Sequence, residues 1–348
     1  MKKLSLLILS LVMFSCSAFA FSFNFWNRNF IKSEPVVTAP LFDSELDNVN
    51  TVWAGTFQLL WNDLCDNVIK GPIIFSNGQT KFAEELNKQI FNKTMLSESA
   101  YYVNHGIMTK DFKHRISEDL KMKFNDKSDI LDTLSWNGRD FLAYSMLKKD
   151  FQFVEEFNEL ESAPFGKNPE KVKYFGIDNS SNKSLRDNVR VMFYNSNKDF
   201  AIKLYTSGFD KVILYRTDDK GSFDKLYKNF LDKSKKYMGN KSFASKDKFK
   251  VPNIEFYTKH YYDDLTGKAI AGTDLTISKA LQTVDFKMDS KGVKLKSEAA
   301  MIMLTSAMPL RAEKPRDFSF DDTFVIFLIE KDSPYFALKV KDVKSLKK

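Results

Sequence analysis

The stretch Ser278–Val343 limits what this chain can fold into more than any other part of it. Val284, Phe286 and Met288 alternate with polar residues, and Val293, Leu295, Ser297 and Ala299 alternate again. A period of two is the signature of a strand with one buried face. Asp289-Ser290-Lys291-Gly292 lies between the two runs and reads as a turn. An apolar segment punctuated by Pro309 and Pro315 follows, and then Phe324–Ile329, which is apolar at every position. Such a run is expected of a strand covered on both faces. Tyr335–Val340 pairs back onto it across Lys331-Asp332-Ser333-Pro334. A chain ending this way needs a large sheet with material packed on each side.

The upstream sequence supplies that material. Val52, Trp53, Phe57, Leu60, Trp61, Leu64, Cys65 and Val68 fall at three- and four-residue steps, which predicts a helix over 51–70. Asn50 is placed to cap it and Gly71-Pro72 to stop it. A short strand is expected at Ile73–Phe75 and a second helix over 79–91. Residues 94–150 mix short helices and strands, with a buried strand at Phe141–Leu147. Val189–Tyr194 and Phe200–Tyr205 alternate around Asn195-Ser196-Asn197, a hairpin pattern. Lys211–Arg216 reads as a strand and Phe223–Tyr237 as a helix. The 33 phenylalanines suit sheets. Helices early and antiparallel strands late give an α+β class: N-terminal helices, large mostly antiparallel β-sheets and a C-terminal β-rich half.

Lys2 and Lys3, the apolar run Leu4–Phe14 and Ala18-Phe19-Ala20 form a secretory signal pattern. The expected organisation is a signal peptide over 1–20, an irregular arm over 21–48 and a single domain over 49–348. Export to a periplasm or the extracellular space follows, with Cys16 as a lipid-modified N-terminus in a second reading. No later stretch is long and apolar enough to span a membrane as a helix.

Removing Cys16 leaves Cys65 alone, so no internal disulfide and no cysteine metal site is expected. His105, His114 and His260 show no ligand spacing, and no nucleophile elbow or phosphate loop occurs, so neither metal, cofactor nor enzymatic activity is expected. The formal net charge of +8 is spread along the chain without a nucleic-acid-binding module, which argues against nucleic acid. Lysines crowd Lys225–Lys250, where contact with an anionic glycan or surface is weighed against an ordinary solvated helix and loop.

Several segments, in order, resemble those of a serpin, in a divergent bacterial form. Pro252-Asn253-Ile254-Glu255-Phe256 followed by Tyr262-Asp263-Asp264-Leu265 is similar to one conserved-looking step of that family. Ser278-Lys279-Ala280-Leu281 through Gly292 resembles the strand leading to the family's hinge. Phe318–Leu328 and Phe336–Val340 resemble the penultimate and closing strands. The chain departs from the family at Asn77, where a proline is usual. It departs at Gln282, where a histidine is usual, and at Ser290, where an acid is usual. Val293–Glu298 stands where alanines are usual.

The resemblance implies a monomer that inhibits a serine or cysteine protease by suicide. The protease attacks a loop over 293–317, forms an acyl-enzyme, and the cut loop enters the central sheet as a new strand. It also implies a hinge at Ser290, Gly292, Val293 and Leu295, and a reactive centre among Ser306, Met308, Leu310 and Arg311. The alternation permits this, with Val293, Leu295, Ser297, Ala299, Met301 and Met303 facing inward and Lys294, Lys296 and Glu298 outward. The same pattern also describes an ordinary hairpin. The chain would then be a non-inhibitory serpin-like binding or structural protein of the cell envelope, with 293–304 already in a sheet.

Overall fold

Phe324–Glu330 is buried at every position because strands flank it on both sides and side chains cover both faces. The computed structural model describes residues 36–135, 140–294 and 315–348. Phe324–Glu330 (β16) lies near the middle of a seven-stranded sheet. From one edge the order is β1 (Val37–Thr38), β2 (Thr51–Ala54), β17 (Ser333–Val340), β16, β10 (Lys211–Arg216), β9 (Asp199–Leu204) and β8 (Val189–Ser196). All its pairings are antiparallel except β1 with β2. The hairpin β8–β9 stands as the alternation predicts, and the pair β16–β17 as the continuous apolar run predicts.

A second sheet runs β15 (Asp317–Ser319), β11 (Lys248–Pro252), β7 (Asn168–Ile177) and β6 (Asn158–Phe165). A third runs β12 (Ile254–Tyr261), β13 (Leu281–Asp289), β14 (Gly292–Lys294) and β5 (Phe151–Gln152). A two-stranded sheet joins β3 (Tyr101–Ile107) and β4 (Phe141–Leu147). The helices are α1 (Thr56–Asp63), α2 (Lys81–Leu86), α3 (Lys110–Phe124), α4 (Lys183–Asp187) and α5 (Phe223–Lys236). The α+β class with mostly antiparallel sheets is what the sequence predicts.

The main core is rich in phenylalanine and lies against the seven-stranded sheet. Two smaller cores stand apart from it. One joins α1 and α2 to Tyr262, Leu265 and Ile270. The other packs Phe112, Ile116, Leu120 and Phe124 of α3 against Tyr144 of β4. These α3 positions recur every fourth residue, which puts them on one helical face.

Several local expectations fail for physical reasons. Thr51–Ala54 is a strand, not the start of a helix, because it is buried on both faces between β1 and β17. Asn50 caps nothing. Its Oδ1 accepts the backbone N–H groups of Lys341 and Asp342, tying the entry of β2 to the exit of β17. α1 begins after Gly55 and relaxes into a π-helical turn, Leu64–Ile69, ending on Lys70 at φ 62°. Ile73–Phe75 contributes only an isolated bridge between Phe75 and Ile270, and α2 is shorter than the helix expected over 79–91. β4 is mostly half-buried, because the third sheet does not close against it. Val37–Thr38, in the segment read as an irregular arm, pairs with β2.

Candidate functional site

β13 owes its pairing to its alternation. Gln282, Val284, Phe286 and Met288 turn inward and are buried, while Asp285 turns out. Gln282 takes an inward place that elsewhere holds apolar residues, and its two bonds explain why it is tolerated. Its Nε2 donates to the Ala54 carbonyl at 3.1 Å, and its Oε1 accepts from the Tyr262 hydroxyl at 2.6 Å. The side chain therefore ties the third sheet to β2 and to the core under α1.

The turn after β13 is held on both sides. Asp289 Oδ1 accepts the Lys291 N–H, and buried Ser290 donates its hydroxyl to Glu156 at 3.2 Å. The carbonyls of Ser290 and Lys291 accept the N–H groups of Phe157 and Phe153. The chain then runs back as β14, with Gly292 opposite Asp289 and Val293 opposite Met288. On its other side β14 pairs with β5, Gly292 opposite Gln152 and Val293 opposite Phe151. A Cβ on Gly292 would stand 2.3 Å from the Phe151 carbonyl oxygen, so only glycine fits. Val293 is fully buried and Lys294 exposed, as the sequence alternation demands. Of the hinge candidates, Ser290 lies in the turn, and Gly292 and Val293 lie in a strand held between two others.

Among the described residues, β13 pairs with β12 along its length but with β14 only at Lys287–Asp289, and β4 pairs only with β3. Between β13 and β4 lies a cavity of about 1270 Å³. Leu281, Thr283 and Asp285 line one wall, Phe141–Leu147 the other, and Phe57 and Trp61 of α1 contribute to its lining, as does Lys294. The cavity is thus a slot between two strand edges, in line with β14.

Charged groups of both signs line this slot. Asp126 and Asp129, from the corner after α3, line it together with Asp285, as do Lys127, Lys148 and Lys287, and Lys148 pairs with Asp126. Burial raises the Asp285 carboxyl above the usual range, and Asp129, Glu255 and Asp126 raise it further. Burial likewise raises Asp129, with Asp126 adding to the effect. On the buried side, desolvation pushes the Tyr144 phenol up to about 12.

The connection 295–314 returns to β15 at a second anchor. Buried Arg316 donates from Nε and Nη2 to Asp247 Oδ2 at 3.2 and 2.7 Å, and from its guanidinium to the carbonyls of Asn240 and Ser242. Asp247 Oδ1 also accepts the Arg316 N–H at 3.0 Å. Asp247 is itself almost wholly buried. No local sequence signal marks this pair, because its members stand far apart in the chain.

Leu295, Ser306, Met308, Leu310 and Arg311 lie outside the described residues, as do Cys16 and the segment 1–20. Of the lysines over 225–250, Lys228 and Lys236 pair within α5, Lys233 reaches Asp199 and Asp219, and Lys250 reaches Asp321. Cys65 is buried beside Asn87, and burial pushes its thiol up. Among the described residues no cluster of His, Cys, Asp and Glu could hold a metal ion, and no helix is long and apolar enough to cross a membrane.

No family model matches the chain, and no curated protein does. Similar solved structures include a serpin, a thyroxine-binding globulin and a protease inhibitor. Serpin48, described as a highly specific serpin of the insect Tenebrio molitor, is 12% identical and covers 84% of this chain and 91% of its own, at a TM-score of 0.46. Human thyroxine-binding globulin in complex with thyroxine is 11% identical, covering 86% of this chain and 93% of its own, at a TM-score of 0.49. Mouse protein-Z dependent protease inhibitor is 12% identical, covering 71% and 76%, at 0.42.

Proposed function

We propose that this chain is an exported serpin-like inhibitor that traps a serine or cysteine protease through the connection 295–314. The observation that carries the proposal is the slot between β13 and β4, in line with β14 and walled by two strand edges that no ladder joins among the described residues. An unpaired strand edge is a template for another strand. The seven residues of β4 span roughly 23 Å at about 3.3 Å per residue. The connection is long enough to lay that many residues alongside.

Continued in the register of β14, Leu295, Ser297 and Ala299 follow Val293 inward. Lys296 would then fall opposite Asp285. Inward charge would be costly, and this register avoids it. The protease would attack near Leu310-Arg311, and filling of the slot by the cut segment would supply the driving force.

Incubation with trypsin-like and chymotrypsin-like proteases tests this. A covalent complex that survives denaturation, with a rise in melting temperature after cleavage in 295–314, is the expected result. Clean cleavage with neither complex nor stabilisation overturns it.

A second reading is a non-inhibitory binding protein. Gln282 favours it, since its bonds to Ala54 and Tyr262 hold β13 against β2 and resist any parting of the sheet.

A further inference from the structure

Lys149 is a buried cation that neither strand pairing nor the slot requires. It stands two residues before Phe151 and faces inward on the same side, beneath the strand edge that receives β14. Its Nζ lies 2.6 Å from Glu330 Oε2 and 2.9 Å from Asp210 Oδ1, and 5.2 Å from the Tyr335 ring centre. The Tyr335 hydroxyl donates to Asp210 at 2.8 Å, and Ser97 donates its N–H and hydroxyl to Glu330. Glu330 ends β16, Asp210 precedes β10 and Tyr335 belongs to β17, so three neighbouring strands of the seven-stranded sheet converge on one ammonium group.

The backbone beside Lys149 is bound the same way. Val154 N–H donates to the Tyr205 carbonyl and Ser207 N–H to the Gln152 carbonyl, both across to the end of β9. The segment 149–154 is therefore held by the seven-stranded sheet. Much of 141–147 packs instead on α3 and its smaller core.

We infer that the Lys149–Glu330–Asp210 cluster is a positioning device that fixes the strand edge of β5 and thereby seats the hinge strand β14. A buried charge bonded to one buried and one half-buried carboxylate defines one position of its backbone, because any displacement strands buried charge. The apolar contacts of Phe151 alone would allow small slips. Two residues of β5 are a short ladder for β14, and their placement has to come from outside the ladder. Calling β14 a hinge rests on the inhibitor proposal, but the seating of β14 does not.

Hydrogen exchange on the full-length protein tests this. Two variants are compared with the parent. Lys149→Met removes the cation. The triple variant Lys149→Met/Asp210→Asn/Glu330→Gln removes all three charges, and replacing a buried ionic cluster by neutral groups of similar volume is often tolerated. The expected result is at least a roughly tenfold faster exchange of the amides in 288–294 relative to those in 324–330, in whichever variant folds. Equal slowing or equal acceleration of both regions would overturn the inference, since the cluster would then stabilise the whole fold without placing β14. A protein that forms no protease complex but shows the selective loosening leaves the anchor standing and removes only the inhibitor proposal.

Discussion

Gly292→Ala tests the geometry of β14 most directly. A methyl group at that position stands 2.3 Å from the Phe151 carbonyl oxygen and 2.7 Å from the Gln152 Cα, both backbone atoms, so no side-chain rotation relieves it. Keeping β14 in place requires β5 to give way, and overpacking of this kind costs about 1–3 kcal/mol. The alternative is to release β14. That exposes Val293, whose burial is worth about 2 kcal/mol. It also breaks ladder hydrogen bonds on both sides, worth about 1 kcal/mol each. Release returns about 1–2 kcal/mol of backbone entropy for each of the three residues. Gains and losses nearly cancel, so a penalty of about 1–3 kcal/mol is enough to tip β14 out of the sheet. Unfolding in urea should then show a loss no larger than that penalty, with an unchanged transition slope. Hydrogen exchange should show 290–294 unprotected while β16 keeps its protection. If the chain inhibits by strand insertion, the variant becomes an ordinary substrate of the protease. A loss well above about 4 kcal/mol, or full protection of 290–294, would show that β14 is seated by something other than its fit between β13 and β5.

Three further outcomes are expected. Arg316→Met leaves Asp247 buried without its partner and should cost about 3–5 kcal/mol in denaturant unfolding, whereas Arg316→Met/Asp247→Asn should recover part of it. Gln282→Leu strands the Ala54 carbonyl and the Tyr262 hydroxyl and should cost about 1–3 kcal/mol; if it instead strengthens protease trapping, Gln282 restrains the sheet. Asp285 has its folded pKa raised, so the folded protein holds that proton more tightly than the unfolded chain does. Its effect on stability is unfavourable at neutral pH and fades as pH falls through the raised value toward the ordinary 3.8. Asp285→Asn should therefore stabilise slightly at pH 7, the effect being small because solvent screens the site. Thermal melts should show the gap closing below about pH 4, and a gap that widens on acidification would reverse the assignment.

The late strands were legible because their signals are local. The period of two in β12 and β13, the all-apolar run of β16 and the turn at Asp289–Gly292 need no distant partner to be read. Thr51–Ala54 misled because a strand buried on both faces is apolar throughout, and beside a true helix its residues extend the helical spacing. α3 was missed although Thr109 caps it and Phe112, Ile116, Leu120 and Phe124 mark one face; its charged remainder obscured the stripe. The turn at Asp289–Gly292 was readable, but the slot was not. It exists only where β4 and β13 fail to meet, and nothing in either segment encodes that gap. Arg316 with Asp247 and Lys149 with Glu330 were equally silent, since each is an isolated charge until the fold joins them.

The order of strands in the seven-stranded sheet also bears on how the protein comes to exist. A ribosome completes β2, β8, β9 and β10 early, yet β16 and β17 fill the space between β2 and β10. The interior of the sheet is therefore translated after its flanks. A growing polypeptide can form β8, β9 and β10 as one fragment and α1 as another, but it has nothing to join them until the last strands emerge. Contacts so distant in sequence also form slowly. The nascent protein consequently spends its synthesis with two incomplete sheet edges exposed, a state vulnerable to aggregation and one that has not yet closed into a shape that must be undone.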